Sequence, residues 1–228
     1  MATATVTRRP KFVPNTATLL LTSTSKMPSK SWSLPARKTC PFSVHTPGAI
    51  CEFCYADKGL YTTYPNVKKA QHTRFAWARE CMRTVEGRDL FVSTMVSAIR
   101  GMPYFRVHDS GDMFSPIYAR CWADICRQLP DTKFWIPTRS HRALLNVGSA
   151  MADIWAEALN ALSILPNVTL RPSADNFGDP APIVPGFAAG STACDEGFTC
   201  PAPLQNNACG DCRMCWDAPT VPISYRKH

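Results

Sequence analysis

Residues 104–140 read YFRVHDSGDMFSPIYARCWADICRQLPDTKFWIPTRS, and the architecture follows from this stretch. Tyr104–Val107 is strand-like and ends in the polar run His108-Asp-Ser-Gly-Asp112. Ser115-Pro116 then offers a helix N-cap followed by proline at the first helical position. The helix runs to Gln128, burying Ile117, Cys121, Trp122, Ile125 and Leu129, and stops at Leu129-Pro130-Asp131. Phe134-Trp135-Ile136 forms the next strand, ending in Thr138-Arg139-Ser140. A second unit repeats the rhythm: a helix over Ala143–Ser163 with Leu144, Val147, Met151, Ile154, Trp155, Ala158 and Leu162 on one face, then Leu165-Pro166-Asn167. Strand Val168–Leu170 follows, ending in Arg171-Pro-Ser173. Consecutive helix–strand units of this kind predict an α/β protein with a parallel sheet. Polar residues fall just after each strand, at the edge where parallel α/β folds bind ligands. His108, Asp109, Asp112, Thr138, Arg139, Ser140, Arg171 and Ser173 are therefore expected to face one crevice.

Working outward, Asn66–Arg100 is helical, two helices meeting near Glu86-Gly87, with Val67, Ala70, Trp77, Ala78, Cys81 and Val85 along the first stripe. Before it lies a long Ser/Pro/Lys-rich loop, preceded by a short buried strand at Thr18–Thr22. Residues 1–16 read as a flexible basic arm, residues 17–189 as the α/β body and residues 190–228 as a Cys-rich segment with a final edge strand near Thr220–Tyr225. The first 51 residues carry seven Lys/Arg and no acid, whereas the rest balances 18 bases against 17 acids. Such an arm suits nucleic acid or another anionic partner; a solvated tail, or counter-charge for a thiolate cluster, are the plainer readings. No apolar run approaches the ~18 residues a spanning helix needs, so no membrane is expected. Leu19–Leu21 is too short for a signal-peptide core. A reducing cytoplasm is the expected location.

In that compartment the 11 cysteines point to metal or redox chemistry instead of disulfides. Cys209-Gly-Asp-Cys212-Arg-Met-Cys215 lets one loop reach three irons of a cubane, and Cys200-Pro201 supplies a distant fourth ligand followed by proline. Four-cysteine zinc is the competing reading, and Cys194 is an alternative to Cys200. A second group, Cys40-Pro41 and Cys51-Glu-Phe-Cys54, lies after the first strand. Three cysteines hold three irons and leave one open to a ligand, unless His45 or Cys81 closes the site. Cys81, Cys121 and Cys126 otherwise read as small buried hydrophobes within helices.

The three-cysteine loop with Phe53 before its last cysteine, and the run Ser110-Gly111-Asp112 after the next strand, resemble the radical S-adenosylmethionine superfamily. More closely, Lys38-Thr-Cys-Pro41, Cys54-Tyr-Ala56, His108–Asp112 and Cys209–Trp216 resemble the phage gene product 88 family over most of residues 18–218. The resemblance implies a partial (βα) barrel-like parallel sheet with a C-terminal Cys-rich iron–sulfur loop region, working in the host cytoplasm. It implies two 4Fe–4S clusters, one at Cys40, Cys51 and Cys54, the other at Cys200, Cys209, Cys212 and Cys215. It also implies S-adenosylmethionine on the open iron, cleaved on reduction to a radical that takes hydrogen from an unknown substrate. Ser110, Gly111 and Asp112 would hold its amino group, while Arg139 and Arg171 would pair with a carboxylate. Departures are a ten-residue gap between Cys40 and Cys51 where three is usual, Ser-Gly-Asp in place of Gly-Gly-Glu, and a short chain. The rival expectation is a non-catalytic iron–sulfur or zinc module that binds a host protein or nucleic acid.

Overall fold

The computed structural model describes residues 21–146 and 148–227. The basic arm 1–16, most of the strand expected at 18–22, and Val147 lie outside the described residues. The body is mixed α/β, built on a five-stranded, mostly parallel sheet in the order β1-β2-β3-β4-β5. Its strands are β1 (Thr22–Ser23), β2 (Lys30–Ser33), β3 (Tyr104–Ser110), β4 (Lys133–Thr138) and β5 (Val168–Pro172), with only β1 antiparallel to its neighbour. The helices are α1 (Leu60–Thr63), α2 (Pro65–Cys81), α3 (Val85–Ile99), α4 (Pro116–Gln128), α5 (Ala150–Ser163) and α6 (Met214–Asp217).

The β3–α4–β4–α5–β5 succession forms in the order its sequence predicts, but α5 starts at Ala150 and not Ala143, because Ser140–Leu145 folds as a separate 3-10 turn and Ser149 caps the helix. Ser115 caps α4, its hydroxyl accepting from the Tyr118 amide at 3.2 Å ahead of Pro116. Helices α2 and α3 part at Thr84, whose hydroxyl accepts from the Gly87 amide at 3.0 Å, a few residues earlier than expected. The buried face of α5 also differs. Ala152, Trp155, Ala158, Leu159 and Leu162 are buried, while Met151 and Ile154 are exposed. Ile117 of α4 is likewise exposed, and Tyr118 takes its place inside.

Strand alternation divides the sheet into two faces. Trp32, Leu34, Phe105, Val107, Phe134, Ile136 and Leu170 join the core beneath α2–α5. Tyr104, Arg106, Trp135, Thr169 and Arg171 turn the other way, toward the Cys-rich segment. Trp216 of α6 seals that second layer: its Nε1 donates to the Phe105 carbonyl at 2.9 Å, and its own carbonyl accepts from Thr169 Oγ1 at 2.7 Å. The segment holds a parallel two-stranded ladder, β6 (Ser191–Cys194) and β7 (Ile223–Arg226), more order than its composition predicts.

The strand that feeds the first cysteine loop is a correction. It is β2, Lys-Ser-Trp-Ser, which lies inside the expected loop. Its buried serines are satisfied by side chains: Ser31 Oγ donates to Asp109 Oδ1 at 2.8 Å, and Ser33 Oγ accepts from Gln71 at 2.9 Å. Only Trp32 gives it an apolar signal.

Candidate functional site

The site begins with an irregularity between β2 and β3. Trp32 pairs with Val107 but Ser33 pairs with Ser110, so His108 and Asp109 are extruded as a bulge. His108 takes a left-handed backbone, φ 69°. Its ring is buried against Tyr118, with Nε2 2.9 Å from the phenol oxygen. Burial, helped by the Arg106 charge, pushes its pKa down to about 3. The unfolded chain therefore binds a proton that the folded chain refuses. Stability is complete above the ordinary histidine value and falls as pH drops below it. The expected loss is roughly 1.4 kcal/mol per pH unit between about 6.5 and 4. A pH series of chemical denaturation measures this, and His108→Asn, which keeps the left-handed preference, should flatten that part of the slope.

Asp109 emerges on the opposite face, where its carboxylate accepts from Ser31 (2.8 Å) and Tyr61 (2.8 Å) and its carbonyl from the Tyr55 hydroxyl. The next three residues form the seat of the first cysteine loop. Ser110 Oγ donates to the Leu34 carbonyl at 2.7 Å. Gly111 sits at φ 87°, where a Cβ would stand 2.5 Å from Thr39 Oγ1 and 2.8 Å from Leu34 Cβ. A side chain there would displace the residue before Cys40, so both the conformation and the close approach require glycine. Asp112 is buried, and its carboxylate accepts from the Met113 amide (2.7 Å), Thr138 Oγ1 (2.7 Å) and the Arg139 amide (2.8 Å). It thereby clips the end of β3 to the end of β4. Burial nevertheless raises its pKa, against the pull of these hydrogen bonds.

Three anchors hold the cysteine loop at this edge. Thr39 rests on Gly111, the Ile50 amide donates to the Asp175 carbonyl at 2.8 Å, and Tyr55 reaches Asp109. Cys40, Cys51 and Cys54 consequently lie within electrostatic reach of one another. Burial, then the Asp112 charge, then the neighbouring thiols push Cys40 up to about 12, and burial raises Cys54. His45, in the same loop, is turned to Ser43 Oγ at 2.9 Å on the exposed side. Cys81 is not at the site. It ends α2, a helix that leaves the binding edge at Gln71, and it lies buried near Cys121 ten residues further, about 15 Å along the axis.

The two arginines part company. The Arg139 guanidinium donates to the Ala174 carbonyl at 2.6 Å, and its Nε, 3.9 Å from Asp175, finds no hydrogen-bond acceptor. It stays at the edge with Asp112. Arg171 is fully buried on the other face. Its terminal nitrogens donate to the carbonyls of Ala189, Gly190, Ala218 (3.0 Å) and Val221 (2.8 Å), pinning the Cys-rich segment to β5. The expected pairing of Arg171 with a ligand is corrected to this structural role, because strand alternation aims it away from the edge.

The second group gathers on that face. The Cys209 amide donates to the Lys26 carbonyl and the Cys200 amide to the Ser224 carbonyl, while Cys215 Sγ lies 3.4 Å from the Tyr225 hydroxyl. Cys200 interacts electrostatically with Cys209 and Cys215, and Cys212 with Cys209. Burial raises Cys215 to about 11. Cys194 is turned instead to the Tyr225 carbonyl, 3.9 Å away. All 11 cysteines are unpaired, and among the described residues no group of three or more His, Cys, Asp or Glu side chains is arranged to hold a metal ion.

Sequence reasoning missed the residue that stands between the groups. Arg106 projects from β3 over Trp135, 4.3 Å from the ring centroid, and contacts Tyr55. A charged residue between Phe105 and Val107 in a buried strand was the available signal. No helix among the described residues is long and apolar enough to cross a membrane.

A family model described as Gene product 88 matches residues 10–218. The Gene 88 protein of Mycobacterium phage L5 is 30% identical over 122 residues, 49% of this chain and 49% of that protein. The Gene 88 protein of Mycobacterium phage D29 is 38% identical over 60 residues, 26% of this chain and 22% of that one. The match thus spans about half the length of the first relative and under a quarter of the second. No solved structure matches.

Proposed function

The chain belongs to the gene product 88 family, and on that premise we propose that it is an iron–sulfur protein of the radical S-adenosylmethionine kind. Cys40, Cys51 and Cys54 would hold a 4Fe–4S cluster with one iron open, and Cys200, Cys209, Cys212 and Cys215 a closed one. The observation that carries this reading is the pair of all-thiol groups, each gathered so that its members disfavour one another's charge. Deprotonating three or four half-buried thiols in one neighbourhood needs a compensating cation. A triple C-x2-C-x2-C run suits the separate irons of a cubane better than one tetrahedral ion. A cubane distributes its ligands over separate irons.

When bound, a cluster with three protein ligands supplies a Lewis-acidic iron that accepts an amino-acid ligand. The chain supplies the surroundings. Asp112 uses three of its roughly four acceptor positions internally, leaving one for an amino group beside Cys40. Arg139, at the same edge and already facing the Asp175 carboxylate, would pair with a ligand carboxylate. The four parallel strands, in this reading, are an open section of a (βα) barrel.

A second reading is a non-catalytic module in which the clusters staple loops and the surface binds a host protein or nucleic acid, the latter through the basic arm. The internal occupation of Asp112 and Arg171 favours it. Titrating the reduced, reconstituted protein with S-adenosylmethionine separates the two. The proposal predicts a shifted paramagnetic signal and 5′-deoxyadenosine, both lost in Asp112→Ala. An unchanged signal with iron in place supports the module.

A further inference from the structure

Arg106 occupies the ground between the two thiol groups. Its Nε donates to the His108 carbonyl at 3.1 Å, one terminal nitrogen to the Tyr55 hydroxyl at 3.1 Å and the other toward Met27 Sδ at 3.5 Å. These hydrogen-bond acceptors are all neutral; the Asp109 carboxylate, held by Ser31 and Tyr61, acts on Arg106 only through its charge. The guanidinium lies over the Trp135 ring, whose own neighbours Met27 and Trp216 pack Cys209, Cys215 and Tyr225. The charge of Arg106 is felt at Cys209, Cys215 and Tyr225. On its other side, Tyr55 directly follows Cys54 in the chain and opens the short turn Tyr55–Asp57. Asp109 offsets part of the cost of this half-buried guanidinium, and a further anion on the Trp135 side would offset more of it. A thiolate-ligated cluster carries such an anionic charge.

We infer that Arg106 is the counter-charge of the four-cysteine site and, through the Tyr55 hydroxyl, the tether by which the three-cysteine site responds to it. This rests on the iron–sulfur reading and assigns Arg106 and Tyr55 as positioning residues. Cluster potentials follow net charge and the surrounding hydrogen bonds, so removing the cation should disfavour the more negative, reduced form.

The test is a redox titration of the full chain, reconstituted anaerobically and followed by paramagnetic resonance, with Cys51→Ala and Cys212→Ala backgrounds assigning the signals. In Arg106→Met the oxidised-to-reduced ratio of the four-cysteine cluster at fixed potential should rise about tenfold, about 59 mV for a one-electron couple. Arg106→Lys should restore it, since the charge is kept. Tyr55→Phe should shift the three-cysteine cluster alone, and this variant decides the matter should Arg106→Met fail to fold. Bound iron and sulfide with unshifted potentials in these variants would overturn the coupling while leaving the iron–sulfur reading intact. Absence of iron and sulfide from the wild-type protein would overturn both.

Discussion

Arg171→Met is expected to lower stability by about 3 kcal/mol, which for a chain of this size lowers the melting temperature by roughly 6–12 °C. The guanidinium is fully buried, and its terminal nitrogens satisfy backbone carbonyls from two separate stretches, 189–190 and 218–221. Each carbonyl left without a donor costs about 1–3 kcal/mol. Methionine refills part of the stem and relieves a buried charge, which offsets some of that sum. Lysine keeps the charge but not the planar fork that spans the carbonyls, so Arg171→Lys should fall between. A ligand-binding arginine would behave oppositely, leaving the melting temperature in place and weakening only ligand affinity. Thermal unfolding of the two variants distinguishes these roles.

Cys212→Ala should abolish the four-cysteine site and expose residues 195–213 to protease. Metal binding by loop cysteines that lack a core of their own is folding free energy. The apolar support there is small: Cys200, Ala202 and Ile223 make one minor cluster, and Leu204 is 81% exposed. Trp216 and the Arg171 carbonyl contacts anchor the chain beyond this stretch independently. Cleavage should therefore map within 195–213 and spare α6 and β7. Cys51→Ala, by contrast, should leave the sheet and helices as they are, because β2 through β5 are held by the core beneath α2–α5. Limited proteolysis with mass mapping reads both variants, and a protected 195–213 stretch in metal-free Cys212→Ala would contradict the account.

The parts of the fold that were legible in the sequence are those stabilised by apolar burial and local chemistry. Phe105 with Val107, and Phe134 with Ile136, announce their strands, and Ser115-Pro116 announces its helix. Strand β2 was hidden because its buried partners for Ser31 and Ser33 are polar side chains 78 and 38 residues away in sequence, respectively. The face of α5 was misread because alanines, which give little hydrophobic signal, are buried there while Met151 and Ile154 face out. Cysteine spacing suggested which thiols neighbour one another, and Cys200 does lie within electrostatic reach of Cys209 and Cys215 while Cys194 turns to the Tyr225 carbonyl. Spacing carried no information on direction. That Asp112 clips two strand ends, or that Arg171 faces away from the edge, depends on which side of a twisted sheet each residue occupies. The two residues extruded at His108 and Asp109, just beyond the regular pairing of Arg106 with Ser31 and Trp135, were equally without a signal in the spacing.

Iron and acid-labile sulfide analysis of anaerobically purified protein tests the central claim most directly. Two cubanes predict about eight irons and about eight sulfides per chain, with a brown colour and a broad charge-transfer absorption. Colourless protein with stoichiometric zinc, after iron-replete anaerobic expression, would contradict it.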